Sequence, residues 1–208
     1  ASRHAANNPL ALLRTVYTPE EVLQAKELWP GVLTRLMACP PTCGAAAAVL
    51  VSSTLANKHG LAPGVKILAQ SMVTDFPDTF EERSMIKLVG FSLTRKAAAD
   101  VYEAAGVGPQ DVDVCELHDC FAQNELITYE GLGFCGEGEA EAFVEREDNT
   151  YGGAVVTNPS GGLLSKGHPL GATGLAQCFE LTRQLRGTAD GTQVEGARIG
   201  LQHNLGLG

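Results

Sequence analysis

Between residues 93 and 203, strand-like and helix-like patterns take turns, and that alternation restricts the chain to a layered α/β arrangement. "LTRKAAADVYEAAG" (93–106) carries apolar residues at helical spacing and stops at Gly106, a residue that tolerates the left-handed turn closing many helices. "VDVCEL" (112–117) then alternates apolar and polar side chains, as a strand does, and "AQNELITYEGLG" (122–133) reads as the helix behind it. A glycine-rich loop (152–174) feeds the helix "LAQCFELTRQLRG" (175–187), and "ARIGLQH" (197–203) reads as the last strand. Upstream, "AAAAVLVSS" (45–53) and "VKILAQSMV" (65–73) predict two more strands, although the alanines of the first would also suit a helix, with a short helix "STLANKHG" (53–60) ended by Gly60. The expected fold class is therefore α/β, a layered mixed sheet with helices on both faces.

Two segments fall outside the alternation. "TPEEVLQAKEL" (18–28) predicts a helix that starts with Thr18 as N-cap, Pro19 in the first position and Glu21 completing a capping box; the residues before it are polar and irregular. "EGEAEAFVERED" (137–148) is acidic and is expected to be solvated. "PPTCG" (40–44) is a cluster of breakers, which sets the expected division into 1–38 and 39–208.

Composition narrows the function. With 24 acidic against 15 basic residues the net charge is −9, the wrong sign for a surface that binds nucleic-acid phosphates. The apolar run 44–51 is too short to span a bilayer, and residues 1–20 lack the pattern of a secretory leader, so neither a membrane span nor a leader is expected. The six cysteines (39, 43, 115, 120, 135 and 178) have neither disulfide-scaffold density nor paired CxxC spacing, which points to free thiols in a reducing compartment.

Two familiar patterns fail on context. "GLGFCG" (131–136) fits GxGxxG, but a helix precedes it and an acidic stretch follows, the reverse of what a dinucleotide pyrophosphate needs. Ser160 in "NPSGG" and Ser165 in "LSKG" lack the first glycine of G-x-S-x-G and read as polar loop residues, not hydrolase nucleophiles.

Three other stretches carry chemistry. In "KGHPLGATG" (166–174), His168 stands between Gly167 and Pro169 at the mouth of a helix, where a neutral imidazole can deprotonate a thiol or polarise a carbonyl. "ELHDCF" (116–121) ends a strand with His118, Asp119 and Cys120 side by side. Three readings stand: a buried Cys in a satisfied core, a metal corner using His118 and Cys120, or acid–base work by a thiol whose pKa the imidazole lowers. No second close pair completes a zinc set, so metal is disfavoured. "LQHNLGLG" (201–208) delivers His203 and Asn204 from a strand into a glycine turn. Together these three tips are what a site convergent at strand ends looks like.

"HDCF", "NPSGGLLSKGHPLGATGLAQC" and "LQHNLGLG", in this order and spacing, resemble the C-terminal half of a thiolase, most nearly the sterol-carrier-protein-X type of 3-oxoacyl-CoA thiolase. The resemblance covers residues 7–208. It implies residues 1–38 as a remnant of the thiolase loop region with its connecting helix, and 39–208 as a truncated C-terminal domain whose final strand, after "GLG", is missing. Such enzymes cleave 3-oxoacyl-CoA with a second CoA to give acetyl-CoA and a shortened acyl-CoA, and they usually form dimers.

By matching position, the resemblance implies that His168 activates the nucleophilic cysteine and helps form an oxyanion hole. His118 takes the place of an asparagine that holds a water in that hole. Cys120 takes over the proton work, and His203 stands where most thiolases carry an acid–base cysteine. Ser165, Gly167 and the backbone N–H around Leu205 would meet the substrate. No cofactor is implied beyond coenzyme A as substrate. The implied partners are acyl-CoA and CoA, an N-terminal thiolase half and, in the full enzyme, a second copy. The implied location is the peroxisomal matrix in a eukaryote, otherwise the cytoplasm, although no targeting signal stands in this chain. None of the six cysteines fits the family's nucleophile motif, and Cys43 stands where the family usually has an Asp. The rival is a thiolase-derived interaction or scaffold module without catalysis; a small metal protein is a third possibility.

Overall fold

The computed structural model describes residues 1–61, 64–81 and 83–206. Along the chain come α1 (Ser2–Ala6), α2 (Pro19–Leu23), β1 (Glu27–Trp29), β2 (Leu33–Thr34), β3 (Pro41–Thr42), α3 (Ser53–Lys58) and α4 (Met85–Leu88). Then follow α5 (Phe91–Ala105), β4 (Val114–Glu116), α6 (Ala122–Gly131), α7 (Ala140–Glu145), β5 (Val156–Thr157), α8 (Gly162–Ser165), β6 (His168–Pro169), α9 (Thr173–Arg186) and β7 (Gly200–Gln202).

The central sheet runs β5-β4-β7, all parallel, with Val114 opposite both Val156 and Gly200. Neighbouring residues of a strand face opposite sides, so β4 serves two cores. Cys115 and Leu117 join Ala98 of α5, Tyr129 of α6 and Phe143 of α7 on one side. Val114 joins Val156, Leu181 of α9 and Val194 on the other. Helices thus cover both faces. Burying side chains such as Leu117 and Tyr129 contributes about 1.5–3 kcal/mol each. Gly106 and Gly187 close α5 and α9 in the left-handed conformation, where a Cβ would be strained.

Several expectations are corrected. The helix from Thr18 has its capping box, with Glu21 N donating to Thr18 Oγ1 at 3.2 Å and Thr18 N to Glu21 Oε2 at 2.7 Å, but it ends at Leu23. Residues 27–29 instead pair antiparallel with 33–34 across Pro30-Gly31, and a residue preceding proline disfavours helix. Residues 2–6, read as irregular, form α1. The acidic excursion is not wholly solvated: α7 places Ala140 and Phe143, three residues apart on one face, against α6, with the Phe143 ring 5.3 Å from Tyr129. The expected strands 45–53 and 65–73 do not form; residues 45–52 and 65–73 carry no regular secondary structure and no strand partner among the described residues, and Ser53 already opens α3. A strand needs a neighbour for its N–H and C=O groups. Leu207 and Gly208, the end of the "NLGLG" turn, lie outside the described residues.

Candidate active site

Because β4, β5 and β7 are parallel, their carboxyl ends share one edge, and the loops leaving them meet there. His118 follows β4 by two residues and His203 follows β7 directly. His168 arrives on β6, which pairs in parallel with Pro41–Thr42. The His118 and His168 rings meet edge to face with centroids 4.9 Å apart. The backbone N–H of His118 donates to His203 Nδ1 at 3.4 Å. The three histidines, separated by up to 85 residues of sequence, thus form one cluster.

Each ring has a further partner. His118 Nδ1 lies 2.6 Å from Asn204 Oδ1, His168 Nδ1 lies 2.7 Å from Thr173 Oγ1, and His203 Nε2 lies 3.0 Å from Thr94 Oγ1. Burial is the leading cause that lowers all three pKa values, with His203 pushed down to about 4. The site therefore holds neutral imidazoles at neutral pH, the form that accepts a proton.

Cys120 behaves otherwise than expected. Burial, with the Cys39 thiol and Asp119 adding to it, pushes its pKa up to about 11. The imidazole-lowered thiol is thus corrected: burial dominates and no histidine is among the groups that shift it, so the thiol stays protonated. Its backbone carbonyl accepts from Cys39 N at 2.9 Å, and Ala38 bridges Phe121. The stretch 38–42 therefore touches two of the site's loops, at Cys120 and at His168.

The rest of "ELHDCF" is scaffolding. Asp119, fully buried, accepts from Leu163 N at 2.6 Å and so ties the strand end to the first turn of α8. Gly162 has φ +63, and a Cβ there would stand 2.2 Å from Asp119 Oδ2, so this close approach requires glycine. Glu116, also fully buried, accepts from Ser160 Oγ at 2.8 Å and Ser160 N at 3.1 Å; burial raises its pKa to about 7. Ser160, read from sequence as a loop residue, is thereby committed to structure.

Of the substrate-contact positions, Ser165 is buried and its hydroxyl has no hydrogen-bond partner among the described residues. Gly167 has φ +121 and faces Thr42, 3.2 Å from where a Cβ would sit. Leu205 packs its side chain on Gly90. Sequence reading missed Thr94, which no local signal marks, since it lies 109 residues from His203. It also passed over Thr173, although that residue stands in the quoted "GHPLGATG" one turn past His168. Among the described residues no group of three or more His, Cys, Asp or Glu is arranged to hold a metal, and no helix is long and apolar enough to cross a membrane.

Residues 78–208 match the model of the thiolase C-terminal domain-like family. The chain is 56% identical over 207 residues to sterol carrier protein 2 of Rattus norvegicus, covering 99% of this chain and 38% of that protein. It is 37% identical over 207 residues to the benzoylsuccinyl-CoA thiolase subunit BbsB of Thauera aromatica, covering 99% of this chain and 52% of the other. Among solved structures, an Ltp2-ChsH2(DUF35) aldolase has a similar fold, with TM-score 0.77 and 24% identity over 94% of this chain and 50% of that one. The chain spans well under two thirds of each of these relatives.

Proposed function

This chain belongs to the thiolase C-terminal domain-like family, and from that premise we propose that it supplies the acid–base and thioester-binding half of an acyl-CoA thiolase. The observation that carries the reading is the convergence of neutral His118 and His168, rings 4.9 Å apart, at the carboxyl edge of a parallel sheet.

In the proposed reaction a thiol from an N-terminal thiolase half gives its proton to His168 and attacks the 3-oxo carbon of the substrate. The Cα–Cβ bond breaks, leaving an acyl thioester on that thiol and the enolate of acetyl-CoA. Cys120, kept protonated by its pKa of about 11, is suited to protonate the enolate; its thiolate then takes the proton of the incoming CoA thiol. That CoA attacks the acyl thioester, the shortened acyl-CoA leaves, and the expelled enzyme thiolate takes its proton back from His168. His118 and His168 line the thioester oxygen, His203 and the Leu205 N–H line the opposite side, and the Ser165 hydroxyl and Gly167 backbone meet the substrate. Coenzyme A enters as substrate. The same reading carries a homodimeric full enzyme, located in the peroxisomal matrix in a eukaryotic cell.

The test is thiolysis of a 3-oxoacyl-CoA by this chain paired with the nucleophile-bearing half. Turnover is expected, and Cys120→Ala should lower kcat on the order of 10²-fold or more. A folded pair with no turnover would overturn the enzymatic reading. One observation favours the rival, a non-catalytic interaction module: Cys39, Cys115, Cys120, Cys135 and Cys178 all have pKa values raised by burial, so none is an activated nucleophile.

A further inference from the structure

We propose that Asn204 and Thr173 fix the ring proton of His118 and of His168 on Nδ1, so that both rings offer a bare Nε2 as proton acceptor, while His203 carries its proton on Nε2 and only positions the others. Each ring's proton is fixed by whether the atom facing it possesses a proton of its own. Asn204 Oδ1 has none, so the 2.6 Å contact with His118 Nδ1 requires the ring N–H. Thr173 has a single hydroxyl proton, and it points at Pro169 O, 3.1 Å away. The 2.7 Å contact between Thr173 Oγ1 and His168 Nδ1 therefore draws its proton from the ring. At His203 the order reverses. The His118 backbone N–H can only donate, so His203 Nδ1 accepts, and Nε2–H donates to Thr94 Oγ1 at 3.0 Å.

Neither His118 Nε2 nor His168 Nε2 has a hydrogen-bond partner among the described residues. Both lone pairs are free. The arrangement is selective, because an unconstrained neutral histidine prefers its proton on Nε2. Asn204 and Thr173 are thus positioning residues that hold two rings in the less common form, as the orienting group of a catalytic histidine does elsewhere.

The catalytic consequence rests on the thiolase reading. An Nε2 without a proton accepts one from a thiol: the S–H bond breaks, the N–H bond forms, and the pair becomes thiolate and imidazolium. The same ring donates to an oxyanion only after that step. His118, placed beside the thioester oxygen in the proposed reaction, is then a second base in the resting site and donates to that oxygen only when its own Nε2 has taken up a proton. With the rings 4.9 Å apart, two imidazolium charges repel, so the pair holds one extra proton at a time.

The test is long-range proton–nitrogen NMR of the 208-residue chain labelled with nitrogen-15 histidine, near pH 7.5 and with no substrate. His118 and His168 should show a protonated Nδ1 and a bare Nε2; His203 should show the opposite. Asn204→Leu should release His118 toward the Nε2–H form while Asn204→Asp retains Nδ1–H. Thr173→Val should do the same to His168, and Thr173→Ser should restore it. In the chain paired with the nucleophile-bearing half, Asn204→Leu and Thr173→Val should each lower kcat on the order of 10²-fold with KM little changed. An Nε2–H form of His118 or His168 in the unaltered chain overturns the proposal, whatever the variants do. The expected proton positions in a folded pair without turnover would uphold the proposal and overturn the thiolase reading instead.

Discussion

"VDVCEL" and "AAAAVLVSS" are both short apolar runs, yet only the first becomes a strand. β4 has β5 on one side, β7 on the other, and helices above and below; Leu117 is 0% exposed. In residues 45–53 no strand partner exists among the described residues, and Val49 is 91% exposed; in 65–73, Met72 is 90% exposed. The difference is not in the side chains. A run of apolar residues becomes a strand where neighbours supply both hydrogen bonds and cover, and the long-range pairing of β4 with β5 and β7, Val114 opposite Val156 and Gly200, provides them.

The largest expected effect is in hydrogen exchange. Amides of 114–117 and 200–203 should be protected over those of 45–51 and 66–72 by a ratio on the order of 10³ or more, because the first set opens only when the sheet does. Equal protection in a monodisperse, monomeric chain would break the comparison. Next comes paired truncation. Leu117→Ala should cost about 3–4 kcal/mol in urea unfolding, whereas Leu50→Ala, at 76% exposure, should stay within about 0.5 kcal/mol. A large loss at Leu50 would mean that the exposed run packs in solution.

The same contrast explains what could be read from the sequence. Helix ends were legible where a local device sets them, as with the Thr18 cap, Gly106 and Gly187, because the physics spans only a few residues. His118 and His203 were legible as strand-end residues, since strand-like runs ending in His mark where parallel strands deliver side chains, and His168 was legible as a loop residue held between Gly167 and Pro169 at the mouth of a helix. Phe143 was not, because a single apolar stripe in "AEAFVE" shows only once α6 lies beneath it. Nor were Thr94 and the rise in the Cys120 pKa. Each depends on what folding brings together from far along the chain: Thr94 onto His203, and the burial of Cys120, with Cys39 adding to it. Residues 45–53 and 65–73 misled for the complementary reason: their pattern suits a strand, and the pairing partner is what decides.

The smallest effect tests how closed the ordered region is, through two buried groups whose linkage has opposite sign. Glu116 has its pKa raised to about 7, so between roughly pH 4.5 and 7 the folded state binds more protons than the unfolded chain. Its contribution to stability is present below that window and is lost as pH rises through it, by about 1–3 kcal/mol at most. His203, lowered to about 4, binds fewer protons when folded, so its contribution is present above pH 6.5 and is lost as pH falls toward 4. The two slopes offset one another across the overlap, and wild-type stability should change little there from these groups. Glu116→Gln removes one slope. Its amide oxygen still accepts from Ser160 N and its amide nitrogen can donate to Ser160 Oγ, so stability should then rise with pH between 4.5 and 6.5, following His203 alone, and exceed wild type above pH 7. Urea midpoints at five pH values read this directly. A variant that tracks wild type at every pH would show that water reaches Glu116, and that the layer around β4 is less sealed than its contrast with residues 45–53 requires.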